Sequence, residues 1–180
     1  MCIACNHTIH AKNHNFAWSR DFAPALVAKP GETIHFECLD AGSGHFTASS
    51  TAEDVRTLDF SKVNPVSGPV YLEGAEPGDA VKITFRKFIP SGFGWTANIP
   101  GFGLLADQFP DPALHLWKYD PSGTVPAVYG PKGRVPLKPF AGEIGLAPAE
   151  PGQHSVVPPR AVGGNLDIRD LAEGTTLYLP

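Results

Sequence analysis

Glycine and proline interrupt this chain at short intervals from end to end, and that punctuation limits what it can fold into. There are 19 of each among 180 residues, spread along the sequence rather than massed. Proline ends helices and central strands, and glycine fills turn positions that need positive φ. Between them lie short runs that alternate apolar and polar residues, the pattern of half-buried strands. In 32–39, Ile34, Phe36 and Cys38 oppose Thr33, His35 and Glu37, so Cys38 is expected to point inward. In 80–88, Val81, Ile83 and Phe85 oppose Lys82, Thr84 and Arg86. Residues 114–119 and 175–179 alternate in the same way. Thr51, with Asp54 three residues later and Val55 and Leu58 beyond, predicts a short helix or turn. The expectation is a mostly-β fold: a β-sandwich or partly closed barrel of short strands with long Gly/Pro-rich loops.

The length suits one domain, or two small ones sharing an interface. We expect a β region over 14–180, divisible into subdomains of about 14–120 and 121–180. Residues 90–109 carry Gly92, Gly94, Gly101 and Gly103 among aromatics and read as a long irregular loop lining a pocket. Residues 120–139, rich in Pro, Gly and Lys, read as a hairpin-like excursion. Residues 1–13 place Cys2, Cys5, His7 and His10 within nine positions. That is too cramped for a zinc site, whose ligand pairs usually enclose a dozen residues or more. A disordered terminus is the expectation there.

Charge excludes some partners. A net charge of −4 leaves no basic footprint, and the aromatics are not interleaved with Lys or Arg, so nucleic acid is not an expected partner. No apolar run approaches a membrane span, and no signal-peptide pattern opens the chain. Three cysteines, an odd number, argue against a disulfide framework and for a cytoplasmic location.

One stretch is more specific than any of this. Residues 64–79 read Asn-Pro-Val-Ser-Gly-Pro-Val-Tyr-Leu-Glu-Gly-Ala-Glu-Pro-Gly-Asp. An apolar strand core, Val70 to Leu72, sits between a turn over Pro65 to Pro69 and a second turn at Glu76-Pro77-Gly78-Asp79. The stretch is similar to a signature of the acetamidase/formamidase family. Further segments agree in order: Trp18-Ser19-Arg20-Asp21, Glu37-Cys38-Leu39-Asp40-Ala41, Pro100-Gly101-Phe102-Gly103, Gly142-Glu143-Ile144-Gly145-Leu146 and Gly163-Gly164-Asn165-Leu166-Asp167. The resemblance implies a mostly-β fold and hydrolysis of short aliphatic amides to a carboxylate and ammonia. A non-catalytic β-domain descended from such an enzyme, serving binding or assembly, is the alternative.

No familiar nucleophile motif accompanies it: there is no Gly-x-Ser-x-Gly elbow and no Ser-x-x-Lys. What stands at strand ends is a set of carboxylates and one histidine: Asp40, His45, Glu73, Glu143 and Asp167. Glu143 lies among Phe140, Ile144 and Leu146, where an unpaired carboxylate costs several kcal/mol to bury. Such a set suits a divalent metal, zinc or calcium, that polarises a carbonyl and activates water. The expected roles are Asp40 and Asp167 as metal ligands, Glu143 or Glu73 as general base, and His45 as a supporting or proton-carrying group. No organic cofactor is expected.

The resemblance also implies a longer pattern, with Gly-Asp-x-His and Gln-Gly-Asp-Gly-Glu segments beyond the strand that reaches Leu179. This chain has neither. The expectation is a homo-oligomer, or a second chain that supplies the missing half and covers Leu177 and Leu179, with a small amide as substrate.

Overall fold

The computed structural model describes residues 4–180, and Cys2 lies outside them. The strands are short, as the punctuation predicts. Among the described residues they pair in eight two-stranded ladders, and none closes into a barrel. The mostly-β expectation holds.

The chain divides into two units. The first comprises Met1–Ser43, Ser61–Phe88 and Phe140–Pro180; the second comprises Gly44–Phe60 and Ile89–Pro139. This replaces the expected boundary near residue 120. That boundary fails because residues on either side of it pack together: the His115 ring meets the Tyr129 ring edge-on at 4.6 Å.

In the first unit, Leu26–Ala28 runs parallel to Val70–Leu72, the strand core of the signature-like stretch. Val66–Ser67 pairs with His14–Asn15, and Ala17–Trp18 pairs with His154–Ser155. The second turn forms as read: the Asp79 N–H donates to the Glu76 carbonyl at 3.0 Å, and Gly78 takes φ +102°. After it, Val81–Thr84 keeps the predicted alternation, with Val81 and Ile83 half-buried and Lys82 and Thr84 exposed. Thr176–Leu179 pairs antiparallel with this strand. Leu179 is only 4% exposed within the chain itself. The face expected to need outside cover is therefore largely covered by the chain's own residues. Ile168 stays 42% exposed.

The expectation of a disordered terminus fails for the described part of 1–13. His7–Ile9 forms a strand parallel to Ile34–Phe36, anchored by Ile9 at 2% exposure. Two histidine–glutamate contacts flank it: His7 Nε2 lies 3.1 Å from Glu32, and His10 Nδ1 lies 3.1 Å from Glu37. Both carboxyls sit below the usual glutamate range. A backbone N–H is the larger cause in each case, from Lys29 for Glu32 and from Ala11 for Glu37, and the histidine is the next. Cys38 is exposed, not inward, and the expected alternation already fails within the strand, where Ile34 and His35 are both half-buried and Phe36 is exposed.

The second unit holds a 3₁₀ helix, Ala52–Thr57, where the Thr51–Asp54 spacing predicts one. The Asp54 carboxylate accepts the Thr51 N–H at 2.6 Å. Val55 is buried beneath the helix, and the buried Phe46 ring packs 4.6 Å from Trp95. Asp54→Ala leaves the Thr51 donor without this acceptor. It is expected to cost about 1 kcal/mol, read as a lower urea midpoint at unchanged m-value.

The irregular loop expected over 90–109 gives way to a six-residue strand, Phe93–Asn98, antiparallel to Ala113–Lys118. Gly94 does not break it. It stands opposite Trp117, where an added Cβ would touch the Trp117 and Tyr119 side chains at 3.8 Å. That is ordinary packing distance, so the pairing with Ala113–Lys118, not the absence of a side chain, carries the strand through this position. The excursion over 120–139 folds as a hairpin, Ala127–Tyr129 with Gly133–Val135. No helix among the described residues is long and apolar enough to cross a membrane.

Candidate functional site

The five acidic and histidine positions singled out in the sequence have different fates. Glu73 is exposed just past Val70–Leu72, and its N–H donates to the Ala28 carbonyl at 2.8 Å. Asp40 is exposed in the loop after Ile34–Phe36, with one carboxylate oxygen accepting the Gly42 N–H at 2.8 Å. His45 belongs to the second unit. Its Nε2 lies 2.8 Å from the Asp54 carbonyl oxygen, and its ring meets Phe46 edge-on. Each of these three thus serves a local contact.

Glu143 and Asp167 are brought together. Glu143 opens the strand Glu143–Gly145, which pairs antiparallel with Gly163–Asn165. Asp167 follows at once, at φ +50°, with its N–H donating to the Gly142 carbonyl at 2.9 Å. An added Cβ on Gly142 would come within 3.3 Å of Asp167 Oδ1. The glycine before Glu143 therefore lets the second carboxylate approach.

The pairing beneath them is backbone on backbone. A Cβ on Gly145 would stand 2.8 Å from the Gly164 nitrogen, and one on Gly163 would stand 2.5 Å from the Ile144 carbonyl oxygen. A Cβ on Gly164 would meet Trp18 Nε1 at 3.7 Å. The indole edge thus lies over the glycine strand that holds Glu143 in register.

Glu143 is half-buried, and its Oε1 is inaccessible with no hydrogen-bond partner. The Trp18 indole Nε1 is in the same condition. Burial raises the Glu143 carboxyl to a pKa of about 7. The Trp18 N–H opposes the rise, and the negative charge of Asp167 adds to it. The indole thus comes near enough to weaken the carboxyl's hold on its proton, but makes no hydrogen bond of normal geometry with it. A carboxyl near pH 7 can both take and return a proton under ordinary conditions.

A metal centre needs more than this pair offers. Structural or catalytic zinc takes three or four protein ligands, and calcium takes six oxygens or more. Among the described residues no group of three or more His, Cys, Asp or Glu side chains converges to hold an ion. Asp40 and Asp167, with the described residues around them, do not fit the metal expected from sequence.

A family model, that of the Acetamidase/Formamidase family, matches residues 4–156. The chain belongs to the acetamidase/formamidase family. It is 30% identical to a formamidase of Methylophilus methylotrophus, a match covering 93% of this chain and 54% of the formamidase. The crystal structure of an acetamidase from Bacillus halodurans superposes with a TM-score of 0.87 at 32% identity, covering 96% of this chain and 57% of that one. A gamma lactamase from Delftia acidovorans shares the fold, with a TM-score of 0.85 at 23% identity over 97% of this chain and 58% of that one. The chain spans about half the length of the curated relatives it matches.

Within this acetamidase/formamidase chain, sequence reasoning singled out Glu143 and Asp167, which the structure brings together, but did not single out Trp18 beside them. The signal for Glu143 was chemical: a lone acid among Phe140, Ile144 and Leu146. Trp18 carried only its place in a matching segment. The Gly163-Gly164 pair was visible too, but its use, letting two backbones and an indole meet, is a matter of contact.

Proposed function

We propose that this chain takes part in the hydrolysis of short aliphatic amides, of the formamide and acetamide type, with Glu143 as the group that moves the proton. The half-buried Glu143 carboxyl beside Asp167, with a pKa of about 7, carries this reading. The formamidase and acetamidase relatives support the substrate class.

The chemistry follows from that carboxyl. As a carboxylate, Glu143 takes a proton from water as the oxygen attacks the amide carbon. The carbon becomes tetrahedral and its oxygen gains negative charge. Glu143, now protonated, gives the proton to the nitrogen, the C–N bond breaks, and ammonia leaves. The acid product ionises in water. A group with an ordinary glutamate pKa would accept the proton poorly at neutral pH; a much more basic one would not return it. Burial and Asp167 place Glu143 between these limits.

The test is ammonia release from formamide and acetamide by the purified chain at pH 7, with and without added zinc or calcium. Release under any of these conditions, lost in Glu143→Gln, supports the reading. No release by the wild-type chain under all of them removes it for this chain. Light scattering on the same sample reads the assembly state, for which a homo-oligomer or a complex with a second chain is our proposal.

A further inference from the structure

We propose that Trp18 is a positioning residue that holds the Glu143 carboxyl through its indole N–H. The inference rests on the amide-hydrolysis reading for its kinetic consequence and on geometry for the contact itself.

Two observations carry it. Trp18 Nε1 and Glu143 Oε1 are both inaccessible, and both lack a hydrogen-bond partner. One is a donor only; the other is an acceptor whenever it is not carrying the proton. Leaving a buried polar atom without a partner is costly. Two complementary orphans in one place are therefore poised to satisfy each other. The second observation is what clears the way. Trp18 is fixed on the short strand Ala17–Trp18, paired with His154–Ser155. Gly164 stands under the indole edge, where a Cβ would lie 3.7 Å from Nε1. Glu143 is fixed on the partner of that glycine strand, Glu143 opposite Asn165 and Ile144 opposite Gly164. Donor and acceptor thus hang from two neighbouring pieces of backbone with no intervening side chain at Gly164.

The indole has a single N–H and a rigid ring, so it orients a carboxyl without competing for its proton as a lysine or histidine would. Holding one carboxyl oxygen leaves the other for the reacting water. A misplacement of about 1 Å at such a group can cost on the order of 100-fold in rate.

The contact is read without any activity. The chain has three tryptophans, so an indole N–H spectrum of the labelled protein contains three resonances to compare. The Trp18 resonance is identified by its loss in Trp18→Phe. We expect it to move in Glu143→Gln, while those of Trp95 and Trp117 stay in place. Trp117 is a built-in reference, since its Nε1–H donates to Thr96 Oγ1 at 2.8 Å. The role is read by kinetics. Trp18→Phe keeps an aromatic ring, though a smaller one, and removes the donor; it should lower kcat by about 10- to 100-fold with KM within about twofold. A Trp18 resonance indifferent to Glu143→Gln, or a Trp18→Phe variant with wild-type kcat, overturns the proposal. If the wild-type chain releases no ammonia, the amide-hydrolysis reading falls, and the resonance alone decides whether Trp18 holds Glu143.

Discussion

Glu143→Gln is expected to abolish ammonia release and, in the same molecule, to make the fold more stable above neutral pH. The two effects share one cause. The wild-type carboxyl ionises near pH 7 when folded, against the ordinary glutamate value of 4.5. The folded chain therefore binds this proton more tightly than the unfolded chain does. The contribution of this group is fully present below about pH 4.5, is lost as pH rises toward 7, and stays lost above it. Taken whole, the shift is worth about 3 kcal/mol; for a half-buried carboxyl roughly 2 kcal/mol is the better expectation. Glutamine cannot ionise and does not lose it. Urea midpoints of wild type and Glu143→Gln should nearly coincide at pH 4.5 and separate with rising pH, the variant being the more stable by roughly 2 kcal/mol at pH 8. Midpoints that track each other at every pH would show that Glu143 is not desolvated, and would remove the ground for its catalytic role.

Gly163→Ala is expected to be the most damaging single methyl in the first unit. Gly163 sits at φ +96°, a region alanine rarely adopts. Its added Cβ would also stand 2.5 Å from the Ile144 carbonyl oxygen, 2.8 Å from Gly145 Cα and 3.2 Å from Leu179 Cδ1. The leucine tip can move; the two backbone atoms can move only by breaking the pairing of Glu143–Gly145 with Gly163–Asn165. Strain and lost pairing together should cost roughly 3 kcal/mol or more. For a chain of this size that lowers the melting temperature by roughly 6–12 °C. Gly74→Ala is the control. It also has positive φ, +78°, but nothing within 4 Å of its added Cβ, so conformational cost stands alone at about 1 kcal/mol. If both variants melt together, the close backbone contact at Gly163 is not what holds the strand pair.

The sequence was legible wherever local chemistry decides. The alternation of Val81 and Ile83 against Lys82 and Thr84, the turn at Glu76 to Asp79 and the Thr51–Asp54 helix start each depend on neighbours in the chain, and each appears as read. It was illegible wherever a distant partner decides. Gly94 looks like a breaker until Trp117 is placed opposite it. The terminal residues 7–9 look unstructured until Ile34–Phe36 offers them a parallel edge. The candidate site divides on the same line. Glu143 announced itself by its apolar neighbours, while Trp18, the residue whose indole faces it, comes from far earlier in the chain and gave no local sign.

The interleaving of the two units bears on synthesis. The second unit is finished once residue 139 has left the ribosome, because both of its stretches lie before that point. The first is not. Ala17–Trp18, Val81–Thr84 and the site strand all await partners made after residue 150: His154–Ser155, Thr176–Leu179 and Gly163–Asn165. At ordinary elongation rates that wait lasts on the order of seconds. Throughout it the nascent chain holds early strands with bare edges, the condition that invites mispairing and calls for chaperones. Glu143 is made before its own partner strand, Gly163–Asn165, so the carboxyl proposed to move the proton shares this wait.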